Sequence, residues 1–125
     1  MTSFNAFQKA ISIAQGQELP QICFTNAVVA DVFSGEFLQN VDVLVSNGQV
    51  VDCVPKASRT AQKTIDLDGA YLLPAFIDTH VHIESSMLSP ERFSDLVVPH
   101  GTGVVIADPH EIANVAGTKG IEYML

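Results

Sequence analysis

The stretch from Leu73 to Leu125 constrains the fold more than any other part of this chain. Two apolar runs, one through Ala75-Phe76-Ile77 and one at Val104-Val105-Ile106-Ala107, flank a segment that opens with Ser89-Pro90-Glu91 and closes at Pro99 and Gly101. A serine hydroxyl can cap a helix, and proline suits the first helical position because the N–H it lacks would have no partner there. Proline and glycine then stop the helix. A strand, a crossover helix and a second strand, with strands apolar on both faces, predict a buried parallel pair covered on either side, as in doubly wound sheets and barrels. A further helix is expected from near Glu111 toward Leu125, so the sequence ends inside an alternating pattern.

The N-terminal half follows a different period. Phe4, Phe7, Ile11 and Ala14 form one stripe of a short packing helix, with Thr2 or Ser3 as cap and Gly16 as stop. After a linker containing Pro20, residues 23–33, 37–46 and 49–54 are rich in valine and phenylalanine, as strands are. Asn47-Gly48 between the last two predicts a type I′ hairpin, since both residues tolerate positive φ. Asp68-Gly69, between Thr64-Ile65-Asp66-Leu67 and Ala70-Tyr71-Leu72-Leu73, predicts a second hairpin. The expected first half is therefore a small antiparallel sheet. The domains read as helix and linker over 1–21, a small β-domain over 22–72, and a β/α portion over 73–125.

Composition removes several classes of partner. Six Lys plus Arg against fourteen Asp plus Glu give a formal charge of −8, which repels nucleic acids and acidic membranes. No apolar run approaches the roughly 20 residues of a membrane-spanning helix, and the N-terminus lacks the basic-then-apolar pattern of a secretion signal, so the cytoplasm is expected. Cys23 and Cys53 have no C-x-x-C spacing and are expected to be buried, reduced thiols.

The chemistry concentrates at the two strand ends. His80 and His82 are two apart after Phe76-Ile77-Asp78, so both imidazoles leave the strand on one side, about 6–7 Å apart along the backbone. That spacing lets two nitrogens converge on one ion such as Zn, Fe or Mn, while Asp78 can orient a ring or stiffen the strand end. Asp108-Pro109-His110-Glu111 stands at the equivalent point after the next strand. It reads either as polar groups facing the same pocket or as a turn whose Glu111 favours a helix N-terminus. Glu84, Ser85 and Ser86 follow the histidine pair, where they could contact substrate or satisfy loop backbone groups.

These segments resemble the amidohydrolase superfamily and, within it, the bacterial adenine deaminases. Leu73-Pro74-Ala75-Phe76-Ile77-Asp78-Thr79-His80-Val81-His82 is similar to the superfamily's first barrel strand, which follows a small N-terminal β-domain. His82-Ile83-Glu84-Ser85-Ser86-Met87 and Ala107-Asp108-Pro109-His110-Glu111-Ile112-Ala113-Asn114-Val115 are similar to the longer adenine deaminase signatures. Ala75 departs from that pattern, which has glycine there, so close packing or a positive φ at this position would be strained.

The resemblance implies a fold of mixed class: an antiparallel β-sandwich-like domain followed by the first β/α units of a (β/α)8 TIM barrel, truncated. It implies hydrolysis of adenine to hypoxanthine and ammonia by metal-activated water, with two divalent ions, Mn or Fe with Zn as the alternative, in the complete enzyme. The roles that follow are metal binding for His80 and His82, catalysis for His110 and Glu111, and substrate binding for Glu84, Ser85 and Asp108. Adenine is the expected partner, with self-association of the complete enzyme left open. A catalytic ion usually takes three protein ligands and a barrel needs eight strands, so the isolated chain, an N-terminal portion, is expected to be inactive. Two alternatives stand beside this reading. One is another amidohydrolase, such as a dihydroorotase, hydantoinase or imidazolonepropionase relative; the other is a non-catalytic module that binds a partner chain.

Overall fold

The computed structural model describes residues 3–125, with side chains from Phe4 onward. The chain divides between Leu73 and Pro74 into two compact units. In the first, helix α1 (Ser3–Ala14) precedes seven strands: β1 (Ile22–Thr25), β2 (Val28–Asp31), β3 (Glu36–Leu38), β4 (Val41–Ser46), β5 (Gln49–Pro55), β6 (Lys63–Asp66) and β7 (Tyr71–Leu72). The expected cap at Thr2 or Ser3 lies outside the described residues and side chains. Of the expected α1 stripe, Phe4 and Phe7 are 64% and 65% exposed, whereas Ile13, off that stripe, is buried. Periodicity identifies a face of a helix but not the neighbour that covers it.

The strands form two sheets, ordered β5-β4-β1-β6 and β3-β2-β7. Each of the first two long apolar runs breaks at an asparagine with positive φ, Asn26 (57°) and Asn40 (60°), where the chain leaves one sheet for the other. Asparagine accepts this conformation at little cost. The sheets are mixed rather than antiparallel, because β6 pairs parallel with β1 and β7 parallel with β2. Asn47-Gly48 closes the expected hairpin, with φ of 53° and 74° and Ser46 opposite Gln49. Asp68-Gly69 also turns with positive φ but makes no hairpin, since β6 and β7 belong to different sheets. That corner instead runs beside the one at Asn26. Leu67 N–H donates to Thr25 O, Gly69 N–H to Asn26 O and Val28 N–H to Ala70 O, so pairing continues through both bends.

Cys23, Leu44 and Val54 form the core of this unit, with Ala61 packed against them. Asp42, also buried, accepts from the Thr25 hydroxyl at 2.6 Å and from the Ala57 N–H at 2.7 Å, so both carboxylate oxygens are satisfied. Cys53, expected to be buried, is exposed, because it lies on the outward side of a strand covered on one face only.

The second unit contains β8 (Phe76–Val81), α2 (Pro90–Val97), β9 (Thr102–Ala107), α3 (His110–Ala116) and α4 (Thr118–Met124). Short 3-10 turns occupy Glu84–Ser86 and Val98–His100. β8 and β9 pair in parallel across α2, whose N-cap Ser89 accepts from the Arg92 N–H. The single helix expected after Glu111 is two helices, broken at Gly117 (φ 62°, ψ −148°). The strand pair is not covered as expected: Phe76, Ile77, Val104 and Ile106 are each more than half exposed. Two strands make no closed layer, and a strand with apolar residues on both faces is sheltered only when neighbours flank it on each side. Among the described residues, no helix is long and apolar enough to cross a membrane.

Candidate metal centre

β8 and β9 end side by side, with Val81 opposite Ala107, and the Asp108 N–H extends the ladder by donating to the Val81 carbonyl at 2.9 Å. The pairing slips between Asp78 and Val81, where β8 advances further than β9. Such a bulge bends the strand and re-aims side chains at its end. The His80 N–H, within this irregular stretch, donates to Asp78 Oδ1 at 3.1 Å. Asp78 therefore satisfies a backbone group at the strand tip and stiffens it.

His80 and His82 leave the same tip with ring centroids 4.9 Å apart, and His110 stands 4.9 Å from His82. Asp108 is the hub of the three imidazoles. Its Oδ2 lies 3.9 Å from His80 Nε2, 4.0 Å from His82 Nδ1 and 3.1 Å from His110 Nδ1. His82 Nδ1 is also 2.8 Å from the Asp108 backbone carbonyl. A carbonyl oxygen can only accept, so this nitrogen carries the proton and Nε2 keeps the lone pair. A metal-binding histidine is held in this way by its outer nitrogen. His80, His82 and Asp108 each offer one ligand atom, all within 4.8 Å of one another. Ligands about 2.1 Å from an ion lie within about 4.2 Å of each other, so short side-chain rotations would close the set.

A second layer of contacts joins the loop after β8 to the start of α3. Glu84 Oε1 accepts from the N–H groups of Glu111 (3.1 Å) and Ile112 (3.3 Å), and the Ser85 hydroxyl donates to Glu111 Oε2 at 2.9 Å. Backbone N–H groups hold the Glu84 carboxyl below its ordinary value of 4.5, its own first and then those of Ile112 and Glu111. The other oxygen, Oε2, is buried without a partner among the described residues.

The structure thus gathers His80, His82, Asp108 and His110 around one point and ties Glu84 and Ser85 to Glu111. Asp108 was expected to face the histidines' pocket or make a turn, with substrate binding as the role implied by resemblance; the structure sets it beside the histidines, through the register of two strands separated by a helix. One feature escaped the sequence reading. The tie from Glu84 to α3 joins positions 27 and 28 residues apart, with no local motif to announce it.

Residues 71–125 match the amidohydrolase family. The chain is 47% identical to an adenine deaminase of Halalkalibacterium halodurans over 94% of its own length and 20% of that protein. It is 43% identical to adenine deaminase 2 of Desulfotalea psychrophila over 96% of the chain and 20% of the relative. The chain thus spans about a fifth of the length of the curated relatives it matches. Among solved structures it is similar in fold to an N-acyl-D-glutamate deacylase of Bordetella bronchiseptica (TM-score 0.56, 18% identity, 72% of this chain and 19% of that one). A prolidase is similar to the same degree (TM-score 0.56, 19% identity, 78% and 29%).

Proposed function

We propose that this chain, an N-terminal portion of an adenine deaminase in the amidohydrolase family, supplies the first two strand ends of a (β/α)8 active site. There the whole protein would hydrolyse adenine to hypoxanthine and ammonia. The observation that carries the reading is the set His80, His82 and Asp108, gathered within 4.8 Å at the tips of adjacent parallel strands. The C-terminal ends of barrel strands are where this architecture keeps its catalysts. In this reading residues 1–21 are a helix and linker, 22–72 a small β-domain, and 73–125 the start of the barrel in a cytoplasmic enzyme.

Two imidazoles and a carboxylate suit a divalent ion of the Mn, Fe or Zn kind, and we favour Mn or Fe. When bound, such an ion supplies Lewis acidity and makes water nucleophilic at neutral pH. The chain's own residues do the rest of the work assigned to this half of the site. His82 is fixed in one tautomer by the Asp108 carbonyl. His110 Nδ1 meets the Asp108 carboxylate at 3.1 Å, which leaves Nε2 to exchange a proton with the departing C6 amine. Glu111, steadied by Ser85, is the second candidate for that transfer.

The test is a chimera in which this chain replaces the matching fifth of the Halalkalibacterium halodurans enzyme. Ammonia release from adenine is expected, and H82A is expected to lower it by about 10²-fold or more. The 125-residue chain alone is expected to release none. A folded chimera without turnover, or one indifferent to H82A, overturns the reading.

A further inference from the structure

The N-terminus of α3 has no cap of its own. Its N-cap residue is Pro109, which makes no side-chain hydrogen bond, and the first N–H groups of a helix need partners from elsewhere. Glu84 supplies them from the neighbouring strand's loop, accepting from Glu111 and Ile112 through one oxygen. The residues just before α3 are Asp108 and Pro109, so whatever fixes the start of the helix also fixes Asp108. Three contacts then bind the two strand tips in series: the Asp108 N–H to Val81 O, His82 Nδ1 to Asp108 O, and Glu84 to the helix start.

From this chain of contacts we infer that Glu84 is a positioning residue for cation binding. By capping α3 it holds Asp108 in register with His80 and His82, so that three donors are assembled before an ion arrives. The inference rests on the metal-centre reading and adds to it a residue that lies outside the donor set of His80, His82 and Asp108. Its cost when removed is loss of preorganisation, which for outer partners of metal ligands is typically about 10–100-fold in affinity. Ser85 contributes from the same loop by holding the Glu111 carboxylate, one helical position beyond His110.

The experiment titrates Co2+ into the purified chain and reads the visible d–d absorption, whose intensity and position report coordination geometry. E84A is expected to weaken Co2+ binding by about 10–100-fold and to alter the spectrum. E84Q, whose amide oxygen can accept from the same two N–H groups, is expected to restore affinity to within a few-fold and to return the spectrum. E84D keeps the charge but draws the carboxylate back by one methylene, and is expected to behave like E84A; it serves if E84A does not fold. Equal binding by E84A or E84D and the unaltered chain overturns the positioning role alone. So does an E84Q as weak as E84A. Absence of Co2+ binding by the unaltered chain, or binding unaffected by H80A and H82A, overturns the metal-centre reading and the inference with it.

Discussion

A methyl group built on Gly103 would stand 2.6 Å from the Cβ of Ala75, a distance that real carbon atoms do not tolerate. Ala75, where the resemblance seen in the sequence implies glycine, is not among the residues of positive φ. The backbone at 75 therefore does not demand glycine, and the constraint is one of space. Gly103 leaves open the volume that the Ala75 methyl fills.

G103A is accordingly expected to destabilise the chain by about 1–3 kcal/mol through overpacking between β8 and β9. Pairing it with A75G should recover most of the loss. A thermal unfolding cycle over the four variants measures the coupling, and strictly additive effects would contradict the contact.

D108N removes one carboxylate from the donor set while leaving the backbone carbonyl that holds His82. Charge-assisted contacts contribute about 1.5–3 kcal/mol, so divalent-ion affinity should fall about 10-fold or more. Mn2+ titration followed by electron paramagnetic resonance checks this, and retained affinity would exclude Asp108 from the ligand set.

The Ser89 cap on α2 is long, 3.4 Å from the Arg92 nitrogen to the serine hydroxyl. S89A should therefore cost at the lower end of the usual range for lost caps, about 0.5–1 kcal/mol. S89D should cost less than S89A, because aspartate caps as well as serine does. Chemical denaturation orders the two, and the reverse order would count against the cap.

Asp66 connects pH to the corner between β6 and β7. The Asp68 N–H, then the Asn26 side chain and more weakly Lys56 hold its carboxyl below the ordinary value of 3.8. A depressed folded value means the folded state prefers the carboxylate. Its stabilisation is fully present above the ordinary value and is lost as pH falls through the depressed one. The difference in melting temperature between the unaltered chain and D66N should stay constant near neutrality and shrink only below about pH 4. A difference that shrinks already near pH 6 would point to another group.

Features dictated by neighbouring residues were legible in the sequence, as was the parallel pairing of β8 with β9 across α2, whereas other features set by distant residues were not. Asn47-Gly48 folds its own hairpin, Ser89-Pro90 starts α2, and His80 and His82 share a strand tip, all through interactions within a few residues. Asp68-Gly69 carries the same local signal as Asn47-Gly48 yet joins two sheets, because its flanking strands find parallel partners in β1 and β2 more than thirty residues earlier. Gly117 breaks the last helix although the apolar period runs through it, since periodicity records which side is covered and not whether the axis continues. The exposure of Phe76, Ile77, Val104 and Ile106 was equally invisible, because a sequence states what a strand needs on its faces and not whether this length of chain provides it.

The paired bends at Asn26 and Asp68 carry a consequence for how such chains can vary. Thr25, Asn26 and Val28 are bonded to Leu67, Gly69 and Ala70 straight through the turn. One extra residue in either arm would shift the pattern of both sheets at once and turn inward-facing side chains outward. Loop length at the two bends is therefore a shared quantity: an insertion in one arm is tolerable only when the other lengthens with it.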